Sequence, residues 1–361
     1  MSDPTKTTRR EFLKGKSAVE ALGDAVIGSP EGLPPPSSTQ RGRTYLLNVA
    51  RQAMACEFEV LLNAGQYPGA ADAAIAALDL VEQLEAQLTV YRDTSELVAI
   101  NRRAARETVA VESRLFDLLS RAVELHAATG GALDITSGPL SKIWGFYRRQ
   151  GTMPTAAEVA EAHALVGSHK LVLDSAHRTI RFQQPGMELN LGAIGKGHAL
   201  DRAAEVLENA GVRDYCIHGG NSSVLARGNR SSASRPGWSI ALRHPLKPEI
   251  RLAEFQLVDQ ALGTSGSGTQ FFHYQGKRYG HILDPRTGWP ADKVLSATVI
   301  ARTAEQSDAL STALYVMGLE AAREFCWSRP EISALLVTAG TRAGTTELHP
   351  INLPEDAWRR L

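Results

Sequence analysis

Three glycines and one lysine stand directly before a predicted helix in the stretch Leu189-Asn190-Leu191-Gly192-Ala193-Ile194-Gly195-Lys196-Gly197-His198-Ala199-Leu200-Asp201. Backbone N–H groups, a helix N-terminus and a cation converge there, so the stretch predicts an anion-binding turn between a strand and a helix. It is not a Walker loop, because the GxxxxGK[ST] spacing is absent and no Ser or Thr follows the lysine. The alternative is a glycine-rich turn that holds no ligand.

Apolar residues on both sides of this stretch repeat with helical and strand periods. Steps of three and four residues predict helices over 75–88, over 115–125 with an end at Gly130-Gly131, over 198–210 and over 304–317. The first of these helices is marked by Ile75, Leu78, Val81, Leu84 and Leu88. Short β-rich runs predict strands over 57–62, 215–218, 239–242, 295–301 and 332–338. Because the two kinds of element do not alternate strictly, the pattern predicts an α+β fold rather than a doubly wound parallel sheet.

The N-terminal residues differ in composition from the rest of the chain. A Pro- and Ser-rich linker over 29–38 separates a flexible N-terminal arm from the globular part, which divides the chain into residues 1–43 and 44–361. The arm contains Thr8-Arg9-Arg10-Glu11-Phe12-Leu13-Lys14, a twin-arginine-like pattern that predicts a periplasmic or membrane-associated protein. Glu20 and Asp24 interrupt the segment that follows. The alternative is therefore a solvated arm on a cytoplasmic protein.

Charge and cysteine content exclude several classes of protein. The 361 residues include 39 Lys and Arg against 39 Asp and Glu, so the formal net charge is zero and a dedicated nucleic-acid binder is excluded. The three cysteines form no CxxC pair and the ten histidines no HExxH motif, which argues against a disulfide framework and a zinc site. No apolar run reaches the roughly 18–20 residues of a transmembrane helix.

Two further motifs are candidates for chemistry. Asp308 and Thr312 lie four residues apart on one helix face, where a carboxylate and a hydroxyl could share one Mg²⁺ ion. Alternatively, the Asp complements the helix dipole and the Thr bonds back to a helix carbonyl. His281 precedes the turn Asp284-Pro285-Arg286-Thr287-Gly288 and could be a proton shuttle in a cleft, or an ordinary hydrogen-bonded histidine. Residues 263–268 form a Gly- and Ser-rich segment that suits either a ligand-lining loop or a flexible surface loop.

Taken in chain order, these segments resemble the FAD:protein FMN transferase family, the ApbE flavin transferases. The resemblance runs from about Tyr45 to Gly340. It is carried by Met54-Ala55-Cys56, Tyr91-Arg92, Ser95-Glu96-Leu97, Asn101, Asp134-Ile135-Thr136-Ser137-Gly138-Pro139-Leu140, Ile143-Trp144-Gly145-Phe146, the Lys196 loop, Gly219-Gly220-Asn221, Thr264-Ser265-Gly266, the segment 281–288, and Asp308 with Thr312. Any one of these motifs is weak, but their common order is hard to obtain by chance.

The resemblance implies a fold, a reaction and a set of residue roles. Such enzymes have two intertwined α/β subdomains of T-fold-like architecture. They bind FAD, engage its pyrophosphate with Mg²⁺, and transfer FMN to a Thr or Ser hydroxyl of an acceptor protein, releasing AMP. The matching catalytic positions are His281, Asp284 and Lys196, and the metal positions are the Ala193 carbonyl, Asp308 and Thr312. Positions that match flavin-nucleotide contacts are Tyr91, Asp134, Thr136, Gly192, Ala193, Lys196, Thr264, Ser265 and His281.

Two departures from the family pattern remove a negative charge. Asn190 stands where an acidic residue usually opens the glycine loop, and Asn221 stands where Gly-Gly-Asp is usual. If those carboxylates only accept hydrogen bonds, asparagine can replace them; if they tune the metal or a base, the rate falls. The alternative function is therefore a family member that hydrolyses FAD to FMN and AMP, or a flavin-binding or assembly protein without catalysis.

Overall fold

A computed structural model of the chain describes residues 45–231, 233–266, 268, 270–342 and 344–361. The predicted arm, the linker and the Arg9-Arg10 pattern lie outside these residues, so export and the boundary at residue 43 stay predictions. Among the described residues, no helix has both the length and the apolar composition needed to cross a bilayer.

Eight α-helices and sixteen β-strands form from the described residues. The helices are α1 (Ala70–Leu88), α2 (Glu96–Arg103), α3 (Ser113–Ala128), α4 (Gly138–Ile143), α5 (Ala156–Ala164), α6 (Gly195–Asn209), α7 (Ala304–Met317) and α8 (Leu319–Trp327). The strands are β1 (Leu46–Ala53), β2 (Cys56–Asn63), β3 (Val109–Ala110), β4 (Leu171–Asp174), β5 (Thr179–Phe182), β6 (Tyr215–Gly219), β7 (Ser223–Arg227), β8 (Trp238–Arg243), β9 (Arg251–Leu257), β10 (Ala261–Gly266), β11 (Phe271–Tyr274), β12 (Lys277–Gly280), β13 (Ser296–Ala301), β14 (Ser333–Ala339), β15 (Thr346–Ile351) and β16 (Trp358–Arg360).

An eight-stranded antiparallel sheet organises the fold. Its strand order is β1-β2-β6-β7-β10-β13-β14-β15, and each neighbouring pair runs antiparallel. Two three-stranded sheets, β16-β9-β8 and β3-β5-β4, and the β11-β12 hairpin complete the described strands. Helices and strands do not alternate strictly along the chain, so the predicted α+β class is confirmed.

The two faces of the central sheet bury different partners. Ile217, Leu225 and Val299 belong to a core cluster formed with helices α1, α6 and α7. The neighbouring residues Val224 and Ile300 belong to a second cluster, which includes side chains of the β16-β9-β8 sheet. Since successive strand residues point to opposite faces, helices cover one side of the sheet and the small sheet covers the other.

The predicted helices and strands are confirmed. Each predicted strand lies within one residue of an observed strand, and α3 ends shortly before Gly130 and Gly131, which both have positive φ. Ile75, however, is 43% exposed, because α1 turns Ala74 and Ala77 to the core instead. Helix α6 begins at Gly195, three residues earlier than predicted.

The first turn of α6 lies very close to the first turn of α7. A Cβ atom added at Gly197 would lie 2.1 Å from the Ala304 carbonyl oxygen, on the first residue of α7. By contrast, a Cβ atom at Gly195 would meet nothing closer than the Leu191 Cβ at 3.8 Å. Glycine is costly inside a helix, so Gly197 is tolerated because the N-termini of α6 and α7 come together there.

We expect Gly197→Ala to separate these two N-termini and to destabilise the protein by about 1–3 kcal/mol or more, since the clash is with backbone rather than with a flexible side chain. Gly195→Ala is the matched control, and its higher helix propensity should leave stability unchanged or slightly raised. Urea denaturation of the two variants measures the difference. Equal stability of the two variants would contradict the close approach.

Candidate functional site

Helices α6 and α7 cap each other's N-termini with carboxylates. From α7, Asp308 Oδ2 accepts the Gly197 N–H of α6 at 2.7 Å. From α6, the Asp201 carboxylate accepts the N–H groups of Ala304 and Glu305 at 2.9 and 2.8 Å. These N–H groups belong to the first turns of the helices, where no intrahelical acceptor exists. The exchange therefore fixes the two helix N-termini against each other.

A second set of polar contacts supports the exchange from the side. His198 Nδ1 lies 3.0 Å from Glu305 Oε2, and Arg121 Nη2 of α3 donates to the same oxygen at 2.8 Å. Burial opposes ionisation of Glu305, but the hydrogen bonds from Arg121 and His198 hold the pKa of its carboxyl below the ordinary value. Glu305 is therefore an ionised, fully engaged structural group.

Asp308 and Lys196 meet where the two helices begin. The Asp308 carboxylate is only 5% exposed, and its Oδ1 accepts the Ser223 hydroxyl of β7 at 2.6 Å. Lys196 Nζ lies 3.7 Å from Asp308 Oδ2. Thr312, one turn further along α7, shares a 2.9 Å hydrogen bond between its Oγ1 and Ser265 Oγ of β10. The predicted metal pair and the loop lysine thus lie together, on the helix side of the sheet.

The glycine loop before α6 leaves one backbone carbonyl without a hydrogen-bond donor among the described residues. Gly197 gives its N–H to Asp308, and no donor among the described residues bonds the Ala193 carbonyl. The loop is closed by Asn190, whose Oδ1 accepts the Gly192 N–H at 2.9 Å. An amide oxygen therefore performs at this position the acceptor role that a carboxylate could perform.

The donor set suits a hard cation. The described residues contain no cluster of three or more His, Cys, Asp or Glu side chains that could hold a metal. A carboxylate, a hydroxyl and an open carbonyl, from Asp308, Thr312 and Ala193, are oxygen donors of the kind that Mg²⁺ takes together with phosphate and water. The residues therefore fit an ion that completes its coordination with a ligand's phosphates.

His281 follows β12 and is held as a neutral base. Its Nδ1 lies 3.1 Å from the Gln270 carbonyl oxygen, which can only accept, so the ring proton is on Nδ1 and Nε2 keeps its lone pair. Burial, with a further contribution from the charge of Lys196, lowers the pKa of His281 below its ordinary value. The ring also meets Phe146 edge-on, at 6.4 Å between centroids.

Asp284 is engaged within its own turn. Arg286 donates from Nε and Nη2 to the two carboxylate oxygens, each at 2.8 Å, and its backbone N–H bonds Oδ1 at 2.9 Å. The indole N–H of Trp144 donates to the Gly288 carbonyl at 2.9 Å. Because both Asp284 oxygens have partners, the carboxylate holds the turn that follows His281.

The residues that the resemblance places near the flavin occupy different environments. Thr136 and Ser168 donate their side-chain hydroxyls to Asp134, and His126 Nδ1 lies 3.1 Å from Asp134 Oδ2. Burial opposes ionisation, but these hydrogen bonds hold the pKa of Asp134 below its ordinary value. Tyr91 is 63% exposed, with its ring 4.9 Å from that of Tyr147. Asp134 and Thr136 are thus buried and already partnered, whereas Tyr91 is accessible.

Thr264 and Ser265 point to opposite faces of β10. Ser265 bonds Ser311 and Thr312 of α7, whereas Thr264 Oγ1 lies 3.0 Å from Thr298 Oγ1 on the other side of the sheet. A single contact surface on the helix side therefore includes Ser265 and not the Thr264 hydroxyl.

Several residues of the site are absent from the sequence predictions. Ser223 holds Asp308 and belongs to no recognised motif, and Asp201, at the end of the glycine-rich stretch, caps α7 although no role was predicted for it. Asp201 had one available signal: it lies four residues after Gly197 on the same helix face. Cys56 also lies in this region, since the charges of Lys196 and Asp308 act on its thiol, whose pKa is raised mainly by burial.

Together these features define an α+β protein in which a lysine, two helix N-termini and a set of oxygen donors lie together, with a buried neutral histidine nearby. The ApbE family model matches residues 54–336, so the chain belongs to the ApbE family. An FAD:protein FMN transferase of Vibrio cholerae serotype O1 (strain ATCC 39541 / Classical Ogawa 395 / O395) is 33% identical over 262 residues, which cover 71% of this chain and 77% of the relative. One from Klebsiella pneumoniae (strain 342) is 33% identical over 272 residues, covering 74% and 83%.

Solved structures agree with this assignment. The ApbE protein of Thermotoga maritima superposes with a TM-score of 0.76 at 27% identity, covering 84% of this chain and 96% of that one. The flavin transferase ApbE of Vibrio cholerae superposes with a TM-score of 0.75 at 26% identity, covering 85% and 97%. The predicted family and fold architecture are therefore confirmed.

Asp201 gives the helix pair a measurable pH dependence. Burial raises its pKa to about 6, from an ordinary value of 3.8, so between pH 4 and pH 6 the folded state binds more protons than the unfolded state. The contribution of Asp201 to the free energy of unfolding therefore falls as pH rises through this window. We expect Asp201→Asn to gain stability relative to the wild type across it, by up to about 3 kcal/mol.

Urea denaturation from pH 4 to pH 7 measures this difference. Glu158→Gln, an exposed carboxylate in the capping box of α5, is the control for a charge change elsewhere. A stability difference between Asp201→Asn and the wild type that does not vary with pH would contradict the raised pKa.

Proposed function

We propose that this protein is an FAD:protein FMN transferase, which moves FMN from FAD to a Thr or Ser hydroxyl of an acceptor protein and releases AMP. The observation that supports this proposal most directly is that Lys196 and Asp308 lie together at the N-termini of α6 and α7. His281 is a neutral base, and it lies close enough to Lys196 for that charge to contribute to its lowered pKa. The curated relatives bear this activity in their names.

The reaction balances with the groups at hand. The acceptor hydroxyl oxygen forms a bond to the FMN phosphorus of FAD, and the bond from that phosphorus to the bridging pyrophosphate oxygen breaks. AMP leaves with the electron pair of the broken bond. The hydroxyl proton passes to His281 Nε2, the ring nitrogen that keeps its lone pair. Catalysis of this kind consists mostly of positioning and charge stabilisation.

Two groups of residues serve the pyrophosphate. Lys196 supplies a cation at the N-terminus of α6, next to the Gly192 loop, where an anion is favoured. Asp308, Thr312 and the Ala193 carbonyl would hold Mg²⁺, which neutralises phosphate charge when bound. The hydroxyl of Ser223 holds the Asp308 side chain in place, and the hydroxyl of Ser265 holds that of Thr312.

The other predicted residues take supporting roles in this proposal. Asp284 positions the turn after His281 through its ion pair with Arg286. Tyr91 offers an exposed aromatic surface for a flavin or adenine ring. Asp134 and Thr136 fix the segment before α4 through buried hydrogen bonds, so they position this segment. Thr264 lies on the other face of the sheet, where its hydroxyl meets that of Thr298.

The test of the proposed function uses the full chain. The purified protein is incubated with FAD, MgCl₂ and a protein extract of the source cells. Labelled proteins are detected by in-gel flavin fluorescence, and peptide mass spectrometry locates the modified residue. The expected result is a Thr or Ser peptide heavier by FMN, with one AMP released per label. AMP release with no labelled protein would contradict transfer and support FAD hydrolysis, and the absence of both products would support a flavin-binding protein.

We expect His281→Ala to lower kcat for transfer by about 10²–10⁴-fold while the Kd for FAD changes little, because the ring acts on the acceptor proton. His177→Ala, a change at an exposed histidine paired with Asp174, is the control. In the wild type, the acid limb of kcat/KM should lie below the ordinary histidine value of about 6.5, since the pKa of His281 is lowered. An unchanged kcat, or an acid limb above that value, would remove His281 from the mechanism.

We expect Asp308→Asn to abolish the dependence of FAD affinity on Mg²⁺, because one of the three oxygen donors loses its charge. Glu305→Gln is the matched control: it removes a buried carboxylate one turn earlier on α7, which contacts Arg121 and His198 instead. Titration of FAD with and without Mg²⁺ separates the two variants. A magnesium response that survives in Asp308→Asn would refute the ligand assignment.

A further inference from the structure

A large cavity lies on the face of the central sheet opposite α7. It has a volume of about 880 Å³ and is enclosed by the central sheet, the β8-β9 pair and the β11-β12 hairpin. Val224, Leu262 and Phe255 form part of its apolar lining. This volume is within the range of about 300–1,000 Å³ that ligand sites occupy.

The charged side chains of this cavity have one sign. Its basic and imidazole side chains are Arg243, Arg251, Arg278, His218, His244 and His273. No Asp or Glu is found among the described residues that line it. For a chain whose net charge is zero, this is a strongly cationic surface, named here the cationic cavity.

Two cross-strand pairs place side chains of the cavity next to each other, and one of them joins two arginines. Arg243 of β8 is paired with Arg251 of β9, and His273 of β11 is paired with Arg278 of β12. Like charges directly opposite on neighbouring strands are destabilising. Neither Arg243 nor Arg251 forms a direct ion pair within the described part of the chain, although the charge of Arg251 acts on Glu254, which pairs with Arg359. An anion bound between them would relieve the repulsion.

The wall of the cationic cavity also contains an unused hydroxyl. Ser296 of β13 is 4% exposed and lines the cavity, and its Oγ has no hydrogen-bond partner among the described residues. A buried polar group without a partner costs about 1–3 kcal/mol, so a ligand that supplies a partner is favoured there. This observation is independent of the facing charges of Arg243 and Arg251.

The cationic cavity and the catalytic residues share two strands. Thr264 of β10 lines the cavity, while Ser265 next to it bonds Thr312 on the other face. Likewise, the turn from Gly220 to Ser222 lines the cavity, and Ser223, the first residue of β7, holds Asp308. A molecule that enters the cavity is therefore adjacent to the strand ends that carry the site.

We propose that the cationic cavity docks an acidic segment of the acceptor protein, close to its Thr or Ser hydroxyl; this inference rests on the proposed function. In that function the two phosphates of FAD are bound on the helix side by Lys196 and the α6 N-terminus. The Arg243–Arg251 pair lines the cavity on the opposite face, so it serves a different anion. The remaining substrate is the acceptor protein. Acidic side chains on the acceptor would complement the charge of the cationic cavity, whose described lining contains no Asp or Glu.

The experiment uses the first acceptor labelled by the wild-type protein in the extract assay, purified, together with a deca-glutamate peptide as competitor. Arg243→Gln with Arg251→Gln removes the paired charges, and Arg181→Gln on β5, an exposed arginine that does not line the cavity, is the control. We expect the double variant to raise the KM for the acceptor by about tenfold or more, with the KM for FAD unchanged. Deca-glutamate should compete with the acceptor and not with FAD.

Stability separates docking from misfolding in this test. Removing two facing like charges should leave the double variant at least as stable as the wild type, so a higher acceptor KM cannot result from unfolding. A rise in the KM for FAD instead would show that the cavity holds part of the nucleotide and overturn the docking proposal. An unchanged acceptor KM would overturn it as well. Absence of labelling by the wild type is a different result, because it rejects the proposed transferase function itself.

Discussion

The site depends on the exchange of carboxylate caps between α6 and α7. Asp201 closes the N-terminus of α7, and Asp308 closes that of α6, across a contact that Gly197 makes close enough. Each helix thereby satisfies N–H groups of the other that have no intrahelical acceptor. The same geometry brings Lys196 within 3.7 Å of Asp308. One structural interaction therefore both stabilises the core and assembles the charges that a pyrophosphate would meet.

Side chains alternate between the two faces of the central strands, so one strand contributes both to the helix side and to the cationic cavity. Thr264 and Ser265 are neighbours in sequence, yet one lines the cationic cavity and the other supports Thr312. Because the sheet separates its faces, the cationic cavity and the helix-side residues are two separate surfaces. In the proposed reaction, FAD occupies the helix side and the acceptor docks from the other, and the two meet at the ends of β7 and β10.

The sequence predicts much of this arrangement where the signal is local. The periods of apolar residues place α1, α3, α6 and α7, and the ordered motifs identify the family, now confirmed by the match over residues 54–336. The apolar steps that mark α1 do not define its buried face, since Ile75 is exposed while the small Ala74 and Ala77 are buried. The spacing of large apolar residues predicts a helix, but it does not predict that the helix buries its alanines.

Contacts between distant segments could not be predicted from one sequence. Strand register and helix packing determine three such contacts. They are the hydrogen bonds of Asp201 to α7, the hydrogen bond between Ser223 and Asp308, and the pairing of arginines on β8 and β9. Asp284 illustrates the same point: its motif indicates catalysis, whereas its geometry shows an ion pair with Arg286. Only the fold reveals that this carboxylate is engaged.

The most direct measurement of the central claim is an anomalous difference map from a crystal grown with FAD and Mn²⁺ in place of Mg²⁺. The account predicts a manganese peak bonded to Asp308, Thr312 and the Ala193 carbonyl, with the FAD pyrophosphate beside Lys196. An ordered FAD whose pyrophosphate lies among the arginines of the cationic cavity, with no manganese at Asp308, would contradict it.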